Sequence, residues 1–383
     1  MALPFQLYVL TRSPFLTGLL GLVELGPLVT ASLLGGALAD RYDRRSLLLA
    51  IQVALVLVAS GLAAAALAGS PPVWLLYVLA GASAGTAGME RVTRTAIVPN
   101  VVSGDRLRSA LSFMFGLYQV TMVAGPLVGG LLISSSGVQA VYIADAVSCL
   151  GMVAAAAAMS PQRPIGEERH DPVLRSIRDG LRFVRRSEAL VGSFAIDLAA
   201  MTFGMPRALF PVLSLTVYHS GAGGTGVLFA AVSAGATVAA LSTGWIEHAR
   251  YLGRIVLAAV AVWGLAIAAA GLTAALAPAA LLFAVAGAAD SVSAVCRSTI
   301  SQSLTPDRMR GRMSSVFSLV VASGPRLGDI EAGAVASAAS PRFSVVSGGL
   351  ACVASVALVA AMFPALAAYD GDAVAPIGEP APA

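Results

Sequence analysis

The sequence predicts an all-α membrane protein made of two similar six-helix halves, the first helix truncated. Three observations lead there. Charged residues are only 11% of the 383 and hydrophobic ones 57%, whereas a soluble domain needs about 25% charge to build a wet surface. The apolar residues come in runs beyond the ~18 that mark a spanning helix. The two halves also repeat each other.

Breaking the chain at proline, glycine and charge clusters yields eleven long apolar runs. They cover 15–39, 46–68, 73–98, 108–133, 138–160, 190–217, 225–247, 255–275, 279–304, 313–338 and 343–368. Backbone groups in lipid must be satisfied within the segment, so these runs are expected as helices. Aromatic residues are only 6%, and no ten-residue alternation suggests a barrel. Residues 1–11 form a twelfth apolar run, too short to cross. By the repeat, Pro4 matches Pro211, which predicts that the chain starts inside its own first helix.

Arginine sets the orientation. All 24 basic residues are arginine, and seventeen lie in the loops 40–45, 99–108, 161–189, 248–254 and 305–312. Arg12 and Arg342 alone lie in the opposite loops. The arginine-rich side is therefore the cytoplasm, and the chain is expected as a multi-pass protein of a bacterial cytoplasmic membrane. The net charge of +4 reflects this topology and calls for no nucleic-acid partner. The absence of lysine excludes a Walker A loop and a Schiff-base enzyme. Cys149, Cys296 and Cys352, like His170, His219 and His248, are scattered, so neither a disulfide framework, a metal site nor a cofactor is expected.

The chain divides into a first bundle, 1–160, a cytoplasmic linker, 161–189, a second bundle, 190–368, and a tail, 369–383, expected to be disordered for its Pro- and acid-rich composition. In the linker, Asp171-Pro172 can cap a helix whose Leu174, Ile177, Leu181 and Val184 share one face. Arg175, Arg178, Arg182 and Arg185 lie away from it, as in an interfacial helix on an anionic leaflet or a solvated linker helix.

The repeat joins these halves. Arg94-Thr95-Ala96-Ile97 matches Arg297-Ser298-Thr299-Ile300, Asp105-Arg106-Leu107-Arg108 matches Asp307-Arg308-Met309-Arg310, and Gly125-Pro126-x-x-Gly129 matches Gly324-Pro325-x-x-Gly328. Gly18 and Gly36 match Gly226 and Gly244. The matches keep their order at slowly drifting offsets of about 200 residues, one known design of transporters.

Several segments carry a resemblance. Gly36 to Asp40-Arg41, followed by Asp43-Arg44-Arg45, resembles motif A of the major facilitator superfamily, with Asp43 in place of its second glycine. Physically, Gly36 admits a close helix and Asp40 suits a helix N-terminus; positive-inside decoration accounts for the arginines alone. The resemblance implies that Asp40 latches a cytoplasmic gate. The second copy, Gly244 to Arg254, has His248 in place of the aspartate. Gly125-Pro126 with Gly129-Gly130 resembles the end of motif C, associated with exporters, though Thr121 replaces an earlier glycine; a helix-packing kink explains it equally well. Asp197 to Met201, Phe203 to Pro211, Leu304 to Arg312 and Gly324 to Gly333 resemble the enterobactin-exporter-like and macrolide-efflux-like branch of the superfamily. The resemblance implies a proton-coupled exporter of an amphipathic small molecule, such as a siderophore or antibiotic, working by alternating access. An importer of the same fold and a non-transporting membrane sensor or decayed paralogue are the alternatives. The expected partners are a small-molecule substrate, protons and the bilayer, with one chain as the working unit.

Ionisable residues inside the predicted spans are Glu24, Glu90, Arg91, Arg94, Asp145, Asp197, Arg207, Asp290, Arg297, Arg326, Asp329 and Glu331. Each costs ~2.5–3.5 kcal/mol at a helix centre, and such residues mark ion or substrate paths. Glu24 is the first proton-coupling candidate, since no basic residue shares its helix; Asp197 and Asp290 follow. Arg207 and Arg326 are candidates to bind an anionic substrate or to neutralise the acids, with Glu331, Arg94 and Arg297 in the same charge network. A structural salt-bridge network is the alternative, and Arg91, Arg94 and Arg297 lie close enough to helix ends to snorkel.

Overall fold

The structure, a computed structural model, describes residues 1–162 and 173–370. The Asp171-Pro172 cap, His170 and the tail beyond Asp370 lie outside the described residues. Fifteen α-helices and no strands are present among the described residues. The first half holds α1 (Ala2–Thr11), α2 (Pro14–Ala39), α3 (Arg44–Leu67), α4 (Val73–Val101), α5 (Gly104–Ser136) and α6 (Val138–Ala158). After α7 (Val173–Val184) come α8 (Glu188–Phe203), α9 (Phe210–Thr216), α10 (Gly221–Leu241), α11 (Leu252–Leu272), α12 (Leu276–Leu304), α13 (Arg310–Ala338), α14 (Pro341–Met362) and α15 (Pro364–Ala367).

Local chemistry starts these helices. Ser13, Asp43, Ser187 and Ser340 each accept a backbone N–H of the following first turn, satisfying donors that a helix start leaves open. Pro14 and Pro341 stand at first positions, where the missing N–H costs nothing. Nine stretches are long and apolar enough to cross a membrane among the described residues, by length and composition alone. The other two expected runs lie on α4 and α13, each 29 residues. At 1.5 Å per residue that exceeds ~30 Å of hydrocarbon; their charges belong to the site below. The short α1, 10 residues, packs on α2, α4 and α9.

The two halves make matching contacts. Helix α2 packs on α4 as α10 does on α12, α3 on α6 as α11 on α14, and α3 on α4 as α11 on α12. Across the halves, α2 packs on α13 and α5 on α10. Both crossings are close toward the outer ends. A Cβ added at Gly18 would lie 3.1 Å from the Gly333 Cα, and one added at Gly130 would lie 3.2 Å from the Gly226 Cα. Backbones this near leave no room for side chains. Phe15 N–H, at the outer end of α2, donates to Ser337 Oγ of α13 at 2.8 Å.

Three expectations change. The run 190–217 is not one helix. It breaks at Gly204-Met205-Pro206 into α8, a 3₁₀ turn at Arg207–Leu209, and α9. Pro206 cannot donate an N–H, and it disfavours helical backbone at Met205 before it. The run 225–247 likewise leaves the α-helix at Leu241, and Thr243–His248 continues as a 3₁₀ turn. Helix α7 is not free at an interface. It packs on α13 through Gly180, whose added Cβ would meet the Arg312 carbonyl oxygen at 2.7 Å. Phe183 and Val184 are buried beside it, while Leu181, expected on the apolar face, is exposed.

Candidate functional site

The intramembrane charges fall into two clusters. The first lies within the second half. Asp197 on α8 and Arg297 on α12 form an ion pair, Arg297 Nη2 to Asp197 Oδ1, at 2.7 Å, with side chains 1% and 3% exposed. Arg297 Nη1 also donates to Ser293 Oγ, one turn earlier, at 2.6 Å. Arg297 therefore does not snorkel; it is an internal ion-pair partner. Its repeat equivalent Arg94 is different: half-exposed, it meets Glu90 at 3.3 Å, and Glu90 accepts from Gln52 at 3.1 Å.

Asp290, two turns from Arg297 on α12, is not in that pair. Its Oδ1 is buried with no hydrogen-bond partner among the described residues, and the charges that bear on it are those of Arg297, Asp197 and Arg207. It borders a cavity of ≈ 10 Å³ lined by Gly204, Met205, Pro206, Phe210 and Trp263, room for about one water. The break in the α8–α9 run thus opens beside this carboxylate. Trp263 Nε1 donates to the Gly204 carbonyl at 2.7 Å, satisfying one acceptor that the break frees.

The second cluster sits where the halves meet. Glu24 on α2 is not alone, as its own helix suggested: Arg326 of α13 brings Nη2 to 3.8 Å from Glu24 Oε2. Arg326 Nη1 donates to the Ala322 carbonyl at 2.9 Å. Three residues on, Asp329 Oδ1 accepts the Ala208 backbone N–H at 2.9 Å, so α13 holds the start of the 3₁₀ turn. Arg207, the residue before, is exposed. It forms no ion pair among the described residues, and Asp197, expected to share its helix, lies beyond the break. Glu331 is half-buried on α13, also without an ion pair among the described residues. Asp329 was countable as a charge in a span, but nothing local set it apart. The signal was its spacing of three from Arg326, one helical face.

The inner loop after α2 is a third assembly. Asp40 closes the C-terminus of α2, its backbone N–H donating to the Gly36 carbonyl. The carboxylate that caps a helix is Asp43, where the motif A pattern has glycine: it accepts from Ser46 N at 3.0 Å, Ser46 Oγ at 2.8 Å and the Gln162 backbone. Burial, the largest single influence, raises the Asp43 carboxyl. The Ser46 and Gln162 hydrogen bonds and the Arg45 charge outweigh it and hold the group below the ordinary carboxylate range. Arg44 donates to the carbonyls of Ala39 and Ala96, and Arg45 to those of Ala156 and Ala157 at the end of α6. The close approach of α4 falls at Gly35, whose added Cβ would lie 3.1 Å from the Met89 Cα, and not at Gly36. Arg41 has no bond in this set. In the second half Arg254 donates to the Ala367 carbonyl at 3.3 Å, on the short α15 that follows α14, where Arg45 in the first half reaches the end of α6 itself.

On α5, Pro126 and Gly130 form the outer crossing with α10. A Cβ added at Gly129 would lie 3.6 Å from Met1 Sδ, and no atom comes within 4 Å of a Cβ at Gly125. No group of three or more metal-ligating side chains occurs among the described residues.

Comparison with known proteins places this architecture. The chain is 28% identical over 354 residues to the enterobactin exporter EntS of Shigella boydii serotype 4, covering 91% of this chain and 83% of that one. It is 26% identical over 358 residues to the enterobactin exporter EntS of Citrobacter koseri, covering 92% and 84%. Among solved structures, the nucleoside transporter NupG superposes with a TM-score of 0.76 at 12% identity, covering 94% of this chain and 93% of that one. An inward-facing, unoccupied bacterial homologue of the lysosomal transporter Spinster superposes at 0.70 with 14% identity, covering 95% and 93%. These two share the fold. A family profile described as "Transmembrane secretion effector" matches residues 9–382. The protein is thus a multi-pass membrane transporter of small molecules and no enzyme, a member of the transmembrane secretion effector family within the major facilitator superfamily.

Proposed function

We propose that the chain is a proton-coupled exporter of an amphipathic small molecule, a siderophore or an antibiotic. It works by alternating access between the bundles 1–160 and 190–368, joined by the linker 161–189. The observation that carries this reading is the pair of carboxylates at the seam and the break. Glu24 is engaged across the two halves by Arg326, at 3.8 Å, a contact that rocking of one half on the other must change. Asp290 is buried with an unpartnered oxygen beside the broken helix. Intramembrane acids so placed are the usual carriers of transported protons. Asp197 is held by Arg297 and serves the charge balance. The glycine-lined approach of the outer ends fits a state open toward the cytoplasm. Export is supported by the relatives named enterobactin exporters. A single chain suffices, since both halves of the seam are in it.

The test is transport into everted vesicles under an imposed pH gradient, with enterobactin as the first cargo. Accumulation is expected for the wild type and its loss for Glu24→Gln, while gradient-free exchange of cargo persists because it needs no net protonation. Unchanged pH-driven accumulation in the Gln variant removes Glu24 from the coupling. Accumulation only in right-side-out vesicles makes the protein an importer.

A further inference from the structure

We infer that Arg207 recognises an acidic group of the cargo, so that the transported molecule is an amphipathic anion. This rests on the transporter reading above and narrows it to a substrate class. Three arginines lie in the spans of the second half near the seam and the break, and two are committed. Arg297 is enclosed by Asp197 and Ser293. Arg326 is held by the Ala322 carbonyl and faces Glu24. Among the described residues Arg207 has neither kind of partner, although its charge bears on Asp290 and Asp329, and it is exposed. It stands well inside the stretch Glu188–Thr216, so exposure there means lipid or a cavity. A guanidinium facing hydrocarbon costs at least ~2.5–3.5 kcal/mol. The 3₁₀ turn that carries it packs against α2 and α13, the two helices of the seam, which places Arg207 beside the contact between the halves.

Its backbone is also pre-set. Pro206 restricts the chain before it, and Asp329 holds the Ala208 N–H after it at 2.9 Å. That arrangement spends one carboxylate on the backbone and leaves the guanidinium fork open. A fixed, planar, five-donor fork matches a carboxylate or sulfonate in two parallel bonds.

Binding of a matched probe pair tests this: N-dansylphenylalanine and its uncharged amide, titrated into the purified full chain in nanodiscs at constant pH without a gradient. The wild type is expected to bind the carboxylate about ten-fold or more tightly than the amide, as for one charge-assisted hydrogen-bond pair. Arg207→Gln is expected to lose that preference with amide binding unchanged, and Arg207→Lys to keep part of it. No preference in the wild type, a preference surviving Arg207→Gln, or equal loss of both probes in that variant overturns the assignment. An importer, or a carrier without proton coupling, fails the vesicle test yet leaves this binding difference intact.

Discussion

Asp43 stands where the family pattern has glycine, and its carboxylate closes the first turn of α3. Its lowered pKa has a definite sign. The folded form binds its proton more weakly than the unfolded chain, so the cap's stabilisation is complete above the ordinary carboxylate range near ~4. It is lost as the pH falls through the folded value. Asp43→Ala is expected to cost about 0.5–2 kcal/mol at neutral pH and nothing once the pH is below both values; thermal unfolding in detergent at both pH values measures it. The Asp197–Arg297 pair behaves differently because it is dry. Removing one partner strands a buried charge, at about 3–5 kcal/mol. Arg297→Gln and Asp197→Asn should each destabilise strongly, and the double variant by much less than their sum. Additive losses in that cycle would show that the two side chains do not depend on each other.

Among the elements, the broken α8–α9 run and the two outer crossings bear most on the proposed mechanism. The break sets Arg207, Ala208 and the Asp290 cavity at one depth, which a continuous helix would not do. The crossings depend on backbone contact: a Cβ at Gly226 would strike the Pro126 carbonyl oxygen and lie 3.3 Å from the Gly130 Cα. Gly226→Val is therefore expected to oppose outer closure by about 1–3 kcal/mol, roughly five- to 150-fold in population. A cysteine at Ile133, buried near the outer end of α5, should then react faster with an impermeant maleimide added outside. Unchanged labelling would mean that α5 and α10 part elsewhere.

For the whole molecule, the inner loop is where the first half is tied together: α2, α3, α4 and α6 meet through Arg44, Arg45 and Asp43. These bonds stay within one half while the outer ends are closed. In the opposite state, the inner ends would close, and the latch expected of Asp40 would act there. Asp40→Asn keeps the size and removes a charge whose complement near a helix end is about 0.3–1 kcal/mol. Transport should fall roughly two- to five-fold, with membrane insertion unaltered by blotting of the membrane fraction. Wild-type flux would count against the latch. The pseudo-symmetry is uneven: Arg45 bonds the end of α6 whereas Arg254 bonds the short α15 beyond α14, and Arg94 is half-exposed whereas Arg297 is buried.

Low charge and long apolar runs alone determined the all-α membrane class, because lipid offers backbone groups no partner outside the helix. Motif residues such as Gly36, Asp40 and Arg44 were enough for the superfamily, since their order is local. The pairings were not local. Glu24 has no base within its own helix, and Arg326 reaches it from the other half of the chain. Asp197 meets Arg297 only because α8 and α12 pack together. Asp329 looked like one charge among twelve until the 3₁₀ turn delivered the Ala208 N–H to it. Composition decides which solvent a helix must face; which charge faces which depends on helix rotation and crossing, and only tertiary packing sets those.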